Sequence, residues 1–193
     1  GNMDVVVSTV STASIVNDIK SQFEFASAKQ YVQFECVDSA KLNLIVDKDK
    51  LIQIIRNLLS NAFKFTLTGH VKFSIKKSEI DNFVDFVIED SGIGIDDDKL
   101  NIIFDAFKQA DGTTSRQFGG TGLGLSISKE LSNILLGHIN VSSKKGHGSA
   151  FALSIPLNYN NIVANSKQNS DIQKAVISKT HDIDDFHNLT VSD

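Results

Sequence analysis

The chain has 193 residues, 41% hydrophobic and 22% charged, the make-up of a globular protein with room for one sizeable domain. Nineteen Lys and Arg against 23 Asp and Glu leave a net charge of −4, which excludes a surface built mainly to hold nucleic-acid phosphates but leaves room for a local basic pocket. The single cysteine, Cys36, excludes an internal disulfide and any CxxC metal or redox site. No apolar run reaches the roughly 18 residues of a membrane span, and Gly1-Asn2-Met3-Asp4 lacks the basic and apolar regions of a signal peptide. A soluble, cytoplasmic segment is expected, with no membrane contact and no nucleic-acid partner; Gly1-Asn2 is consistent with a cloning remnant.

The Val-, Ser- and Thr-rich start, residues 1–13, reads as a strand or connector. From Ala13 to Lys29, Ile15, Val16, Ile19, Phe23 and Ala26 recur at helical spacing, with Ser14 a plausible cap. Two strand-like runs follow, Tyr31 to Val37 and Lys41 to Val46. Asp47-Lys48-Asp49 opens the most apolar helix, Lys50 to Phe65, which ends at Thr68-Gly69. Val71, Phe73 and Ile75, then Val84, Phe86 and Ile88, alternate with polar residues and predict an antiparallel pair.

Beyond the Asp90–Gly94 loop, the acidic run Asp96-Asp97-Asp98 suits the positive end of a helix dipole, and a short helix is expected over Lys99–Phe107. Residues 108–120 carry no long apolar pattern and read as a mobile loop. A helix over Gly122–Leu136, stopped by Gly137, precedes strands at His138–Lys144 and Ser149–Leu157, with Pro156 at the end of the last. Residues 158–193 read as a polar tail or interdomain linker.

Three segments invite chemistry. On the first helix in question, Leu51, Ile54, Ile55, Leu58, Leu59, Ala62 and Phe65 form the expected core face, while Gln53, Asn57, Asn61 and Lys64 fall along one stripe. Asn is a poor mid-helix residue because its amide competes for backbone partners. Two in line with a lysine suggest a stripe aimed at a ligand: amide oxygens are hard donors suited to Mg²⁺, and a lysine meets phosphate. A solvated amphipathic face is the plainer alternative.

The second segment is Asp90-Ser-Gly-Ile-Gly94. A carboxylate at a strand end beside glycines can accept a hydrogen bond from an exocyclic amine such as adenine N6, whereas guanine would oppose two acceptors there. A glycine-dependent turn explains the glycines equally well. The third, Gly119-Gly-Thr-Gly-Leu-Gly-Leu125, opens a helix and can turn backbone N–H groups toward an anion. It is neither a Walker loop nor a dinucleotide fingerprint. Arg116 just before it is either a phosphate ligand or a solvated loop residue. The five histidines lack zinc-ligand spacing, and no GxSxG nucleophile is present.

The order Asn57-Leu-Leu-Ser-Asn61-Ala-Phe-Lys64-Phe-Thr66, Asp90-Ser-Gly-Ile-Gly94, Phe104-Asp-Ala-Phe107, Gly119-Gly-Thr-Gly-Leu-Gly-Leu125 closely resembles the N, G1, F and G2 boxes of the catalytic, ATP-binding domain of sensor histidine kinases. Gly146-His-Gly-Ser149 before the last strand is similar to that family's closing element, and the likeness covers residues 14–157. The resemblance implies an α/β (α+β) two-layer sandwich of the Bergerat type, with a mixed, largely antiparallel sheet carrying helices on one face and ATP held between two of them. By that likeness Asn61 would coordinate Mg²⁺ with Asn57 assisting, and Lys64 and Arg116 would touch phosphates. Phe65 would lie against adenine and Asp90 would read its N6, with Gly92, Gly94, Ile95, Phe107 and Ser149 nearby. Gly120, Thr121, Gly122, Leu123, Gly124 and Leu125 would grip the triphosphate beneath a lid over residues 108–120.

The ATP-hydrolysing relatives, DNA gyrase and the Hsp90 chaperones, carry a glutamate where this chain has Asn57, and an amide cannot act as the general base that activates water. The resemblance therefore implies a protein-histidine kinase whose γ-phosphoryl group goes to a histidine on a separate dimerisation domain, with a response regulator or receiver domain downstream. None of the five histidines is followed by Glu, so the chain resembles an excised catalytic domain that would not phosphorylate itself. A nucleotide-binding pseudokinase is the alternative, and a gyrase- or Hsp90-like ATPase a weaker one.

Overall fold

The computed structural model describes residues 4–105 and 122–164; the side chains of Phe25, Ala26 and residues 28–30 lie outside that description. Two units are distinguished, Gly1–Tyr159 and Asn160–Asp193. Of the second, the described residues 160–164 are helical.

In the first unit the order is β1 (Ser8–Ser11), α1 (Thr12–Gln30), β2 (Val32–Asp38), β3 (Asn43–Val46), α2 (Lys48–Phe65), β4 (Gly69–Lys77), β5 (Phe83–Asp90), a 3₁₀ turn (Asp97–Lys99), α3 (Gly124–Ile134), β6 (His138–Lys144) and β7 (Gly148–Pro156). The cap of α1 is Ser11, whose hydroxyl accepts from the Ser14 amide, three residues ahead of the expected position. Asp47 caps α2 by accepting from the Lys50 amide. Where a helix was expected over Lys99–Phe107, the chain makes the three-residue 3₁₀ turn and then further turns through Phe104. The Asp96 carboxylate leaves that turn uncapped and pairs instead with Lys145 at 2.7 Å and Lys99 at 3.4 Å.

Five strands form one sheet in the order β2-β4-β5-β7-β6, with β2 and β4 parallel and every other pair antiparallel. The two early strand-like runs part company: β2 joins this sheet, while β3 pairs antiparallel with β1 in a small separate one. Tyr31 is no strand residue but the left-handed C-cap of α1, at φ 55°.

Along β4, β5 and β7 every second side chain is buried: Val71, Phe73 and Ile75; Val84, Phe86 and Ile88; Phe151, Leu153 and Ile155. This alternation fixes one covered face. They meet Ile15 and Ile19 of α1, the apolar stripe of α2, and Leu131 of α3 in one core. The sheet therefore carries its helices on one face, a mixed α/β two-layer sandwich as the resemblance implied. On α2 the core aromatic is Phe63, stacked on Phe23 with centroids 5.5 Å apart; Phe65, expected in the core, is only half-buried. Helix α3 ends through Leu136 at φ 59°, so the left-handed residue is Leu136 and not Gly137. Gly137 is needed for space: a Cβ there would meet the Ser154 carbonyl oxygen at 2.2 Å.

Candidate nucleotide site

Helix α2 joins the site's parts because its C-terminus and its middle are tied to different segments. At its C-terminus the Phe65 carbonyl accepts from the Ile93 amide at 3.2 Å, drawing the Asp90–Gly94 loop over the last turn. Gly92 makes this approach feasible, since a Cβ there would lie 2.3 Å from the Phe65 carbonyl oxygen. Two turns earlier, Asn57 Nδ2 reaches the Gly124 carbonyl at 3.4 Å and the Ser128 hydroxyl at 3.3 Å, both at the start of α3. Asn57, Asn61, Lys64 and Phe65, all half-buried, thus run between the two loops over about 12 Å of helix.

Asp90 is the last residue of β5, opposite Ser149 in the ladder with β7. Burial pushes its carboxyl above the usual range, against the pull of the Gly92 and Ser149 amides and of His70. The Gly92 amide donates to Oδ1 at 2.9 Å and fixes the group's orientation. A half-buried carboxylate held this way at a strand end keeps acceptor capacity for an outside donor.

The rest of the loop is anchored through Ser143, which the sequence did not single out, and through the Gly146–Ser149 turn. The Ile95 amide donates to the Ser143 hydroxyl at 2.8 Å; Ser143 in turn donates to the Gly148 carbonyl at 2.8 Å and lies 3.0 Å from the Ser149 hydroxyl. The Gly146 amide donates to the Ile93 carbonyl at 2.7 Å. Gly94 sits at φ 67° with its would-be Cβ 2.1 Å from the Lys144 carbonyl oxygen, so the loop packs directly on the β6–β7 turn. Ile95 and Leu125 pack against the core from its edge.

At the other end, Gly122 adopts φ 70° and Leu123 is the N-cap of α3 without a side-chain hydrogen bond. The amides of Gly124, Leu125 and Ser126 therefore have no intrahelical acceptor, the arrangement that suits an anion. A Cβ at Gly124 would meet nothing within 4 Å, so neighbouring atoms do not demand glycine there, and its absence of side chain leaves the backbone open to approach. Lys64 Nζ lies 4.9 Å from the centroid of the Phe65 ring, so these two side chains, assigned to phosphate and base, meet each other.

Of the residues named from sequence, Asn57, Asn61, Lys64, Phe65, Asp90, Gly92, Gly94, Ile95, Gly122, Leu123, Gly124, Leu125 and Ser149 fall on these connected elements. Phe107, Arg116, Gly120 and Thr121, and the lid over 108–120, lie outside the described residues. Ser128, wholly buried, and Thr66, buried at the end of α2, were missed. A small polar residue four places after a helix-opening glycine is the one signal that pointed to Ser128.

The described residues contain no group of three or more His, Cys, Asp or Glu able to hold a metal. On the α2 stripe the side-chain oxygen donors are the amides of Asn57 and Asn61, which fits a Mg²⁺ held jointly by one or two side chains and substrate phosphates. Among the described residues no helix is long and apolar enough to cross a membrane.

The family described as histidine kinase-, DNA gyrase B-, and HSP90-like ATPase matches residues 46–159. The autoinducer 2 sensor kinase/phosphatase LuxQ of Vibrio vulnificus (strain YJ016) is 38% identical over 148 residues, 74% of this chain and 17% of that protein. Hybrid signal transduction histidine kinase D of Dictyostelium discoideum is 38% identical over 165 residues, 83% of this chain and 11% of that protein. The chain thus spans less than a fifth of these relatives. Among solved structures, full-length ShkA in complex with AMPPNP superposes with TM-score 0.72 at 28% identity, covering 81% of this chain and 32% of that one. The catalytic domain of histidine kinase ThkA has the same fold, with TM-score 0.69 at 22% identity over 80% of this chain and 98% of that one.

Proposed function

Because this chain belongs to the histidine kinase-, DNA gyrase B- and HSP90-like ATPase family, as a histidine-kinase catalytic domain, we propose that it binds Mg-ATP along α2 and presents the γ-phosphoryl group to a histidine on another domain. The observation that carries this reading is the tethering of α2 to both loops, by Phe65 to the Asp90 loop and by Asn57 to the start of α3. This reading takes Asp90 as the adenine reader and the start of α3 as the phosphate-binding end, with the polar stripe of α2 between them.

In this reading Asp90 accepts from adenine N6, with Gly92, Gly94, Ile95 and Ser149 shaping the base end and Phe65 against the ring. Phe107 joins the base end; Lys64 and the amides of Gly122 to Leu125 hold phosphates, joined by Thr121 and by Arg116 and Gly120 from the lid. Asn61 supplies the Mg²⁺ ligand and Asn57 assists. The metal would neutralise charge on the transferring phosphoryl group, and the chain's own part is positioning, which phosphoryl transfer chiefly requires. Asn57 carries no carboxylate to activate water, so transfer is favoured over hydrolysis. The acceptor histidine belongs to a dimerisation domain of the parent protein, and the phosphoryl group passes onward to a receiver or response regulator.

Calorimetric titration with a non-hydrolysable ATP analogue, with and without Mg²⁺, tests the reading. Binding that prefers adenine over guanine and is lost in Asp90→Ala supports it, as does phosphotransfer to a supplied histidine domain. A folded chain that binds no adenine nucleotide overturns it.

A further inference from the structure

We propose that Ser128 is a positioning residue that sets the orientation of the Asn57 amide, holding Nδ2 to the start of α3 and so presenting Oδ1 on the opposite side, as a donor for Mg²⁺. The inference rests on the nucleotide reading above and adds to it a residue outside every motif that led there.

Ser128 is wholly buried in α3. Its hydroxyl donates its only proton to the Gly124 carbonyl at 2.9 Å, one turn back. The oxygen is then left as an acceptor, and Asn57 Nδ2 lies 3.3 Å from it and 3.4 Å from the Gly124 carbonyl. Both partners on the α3 side are acceptors, so only the NH₂ end of the Asn57 amide can face them; the reverse orientation would set oxygen against oxygen. The amide is planar with nitrogen and oxygen on opposite sides, so fixing Nδ2 toward α3 turns Oδ1 away from it. An amide oxygen held ready to accept is the donor type that Mg²⁺ takes.

Both contacts to Nδ2 are long for N–H···O bonds, and neither alone holds the group firmly. Among the described residues, removing the Ser128 hydroxyl leaves Nδ2 a single contact of 3.4 Å to a backbone carbonyl. The amide then gains freedom to rotate, and the oxygen is no longer presented in one place. Preorganisation of this kind acts on whatever binds to the oxygen and leaves the adenine end, two turns away beside Asp90, untouched.

The test uses the whole chain with Ser128→Ala, titrated calorimetrically with adenosine, with a non-hydrolysable ATP analogue in chelator, and with the same analogue plus Mg²⁺. Adenosine affinity should stay within about twofold of wild type, while the gain on adding Mg²⁺ shrinks by about tenfold, the scale of one hydrogen bond. In an Asn57→Ala background the same Ser128→Ala change should leave the Mg²⁺ gain where Asn57→Ala alone puts it. Without any ligand, the side-chain amide protons of Asn57 should move in the NMR spectrum toward solvent-like positions in Ser128→Ala. An unchanged Mg²⁺ gain, equal losses for adenosine and Mg-nucleotide, or an unmoved Asn57 signal would overturn the proposal. Failure of wild type to bind adenosine would instead strike at the nucleotide reading and take the role of Asn57 with it.

Discussion

The Asp47 carboxylate accepts the Val6 amide at 3.0 Å while capping α2 through the Lys50 amide at 3.1 Å, so the entering chain is fastened to the helix that carries Asn57, Asn61 and Lys64. Lys50 closes the clamp, donating to Asp47 at 2.8 Å and to the Asp4 carbonyl at 2.7 Å. Segment 4–11 is thereby built onto the first unit by side chains as well as by its pairing with β3.

Loss of that clamp should be felt in acid. Burial raises the Asp47 carboxyl, but the Lys50 ammonium and the Val6 and Lys50 amides outweigh it and hold the group below the usual carboxylate range. A depressed native value stabilises the fold above the unfolded value of about 3.9, and this contribution is lost as pH falls through the native one. Asp47→Ala should cost about 1 kcal/mol or more at pH 7, the scale of a lost N-cap. Urea denaturation should show the gap to wild type closing below about pH 3.9, and amide exchange at Val6 should accelerate. A gap independent of pH would argue against the clamp.

Asp90 has the opposite sign. Its carboxyl is raised in the folded chain by burial, so the native state holds the proton more tightly than the unfolded one. Stability contributed by this group is therefore present at low pH and falls as pH rises from about 3.9 through the native value. At neutral pH Asp90→Asn should be at least as stable as wild type, while adenosine affinity drops about tenfold to a hundredfold. Thermal melts beside calorimetric titrations check both halves, and a destabilised Asp90→Asn would show that the carboxylate serves the fold.

Gly148 ties the same carboxylate's backbone to β7. It adopts φ 93°, and a Cβ there would lie 1.9 Å from the Asp90 carbonyl oxygen. Gly148→Ala should lower stability by about 2–4 kcal/mol and weaken adenosine binding as β5 shifts. Gly146→Ala, at φ 80° but with nothing within 4 Å of the new Cβ, should cost less and spare the ligand. Equal losses in the two variants would count against a role for space at Gly148.

Thr66 gives a test in the stabilising direction. Its Oγ1 is the buried side-chain polar atom without a hydrogen-bond partner among the described residues. Thr66→Val keeps the shape and removes an unsatisfied hydroxyl, which should raise stability by about 1 kcal/mol. A loss of stability on denaturant titration would mean that the hydroxyl is satisfied in solution, for example by an enclosed water.

The amino-acid pattern by itself determined most of the helices and strands and the order of the motifs, and the sandwich followed from the family resemblance those motifs carry. Alternation in β4 and β5 and the 3.6-residue stripe of α2 are local periodicities, legible because each side chain's face follows from its own position in the chain. The polar line from Asn57 to Lys64 and the carboxylate at the end of β5 were legible for the same reason. Other features depended on residues far apart in sequence, and only tertiary structure decided them. Nothing local sent β2 and β3 to separate sheets or made β2 parallel to β4, since each strand's partner, β4 for β2 and β1 for β3, lies in another segment of the chain. Phe63 displaced Phe65 from the core because Phe23 and Phe34 stand where Phe63 points. The Ser128–Asn57 and Asp47–Val6 bonds join residues 71 and 41 positions apart, and only the packing of α3 and the entering segment against α2 brings them within reach.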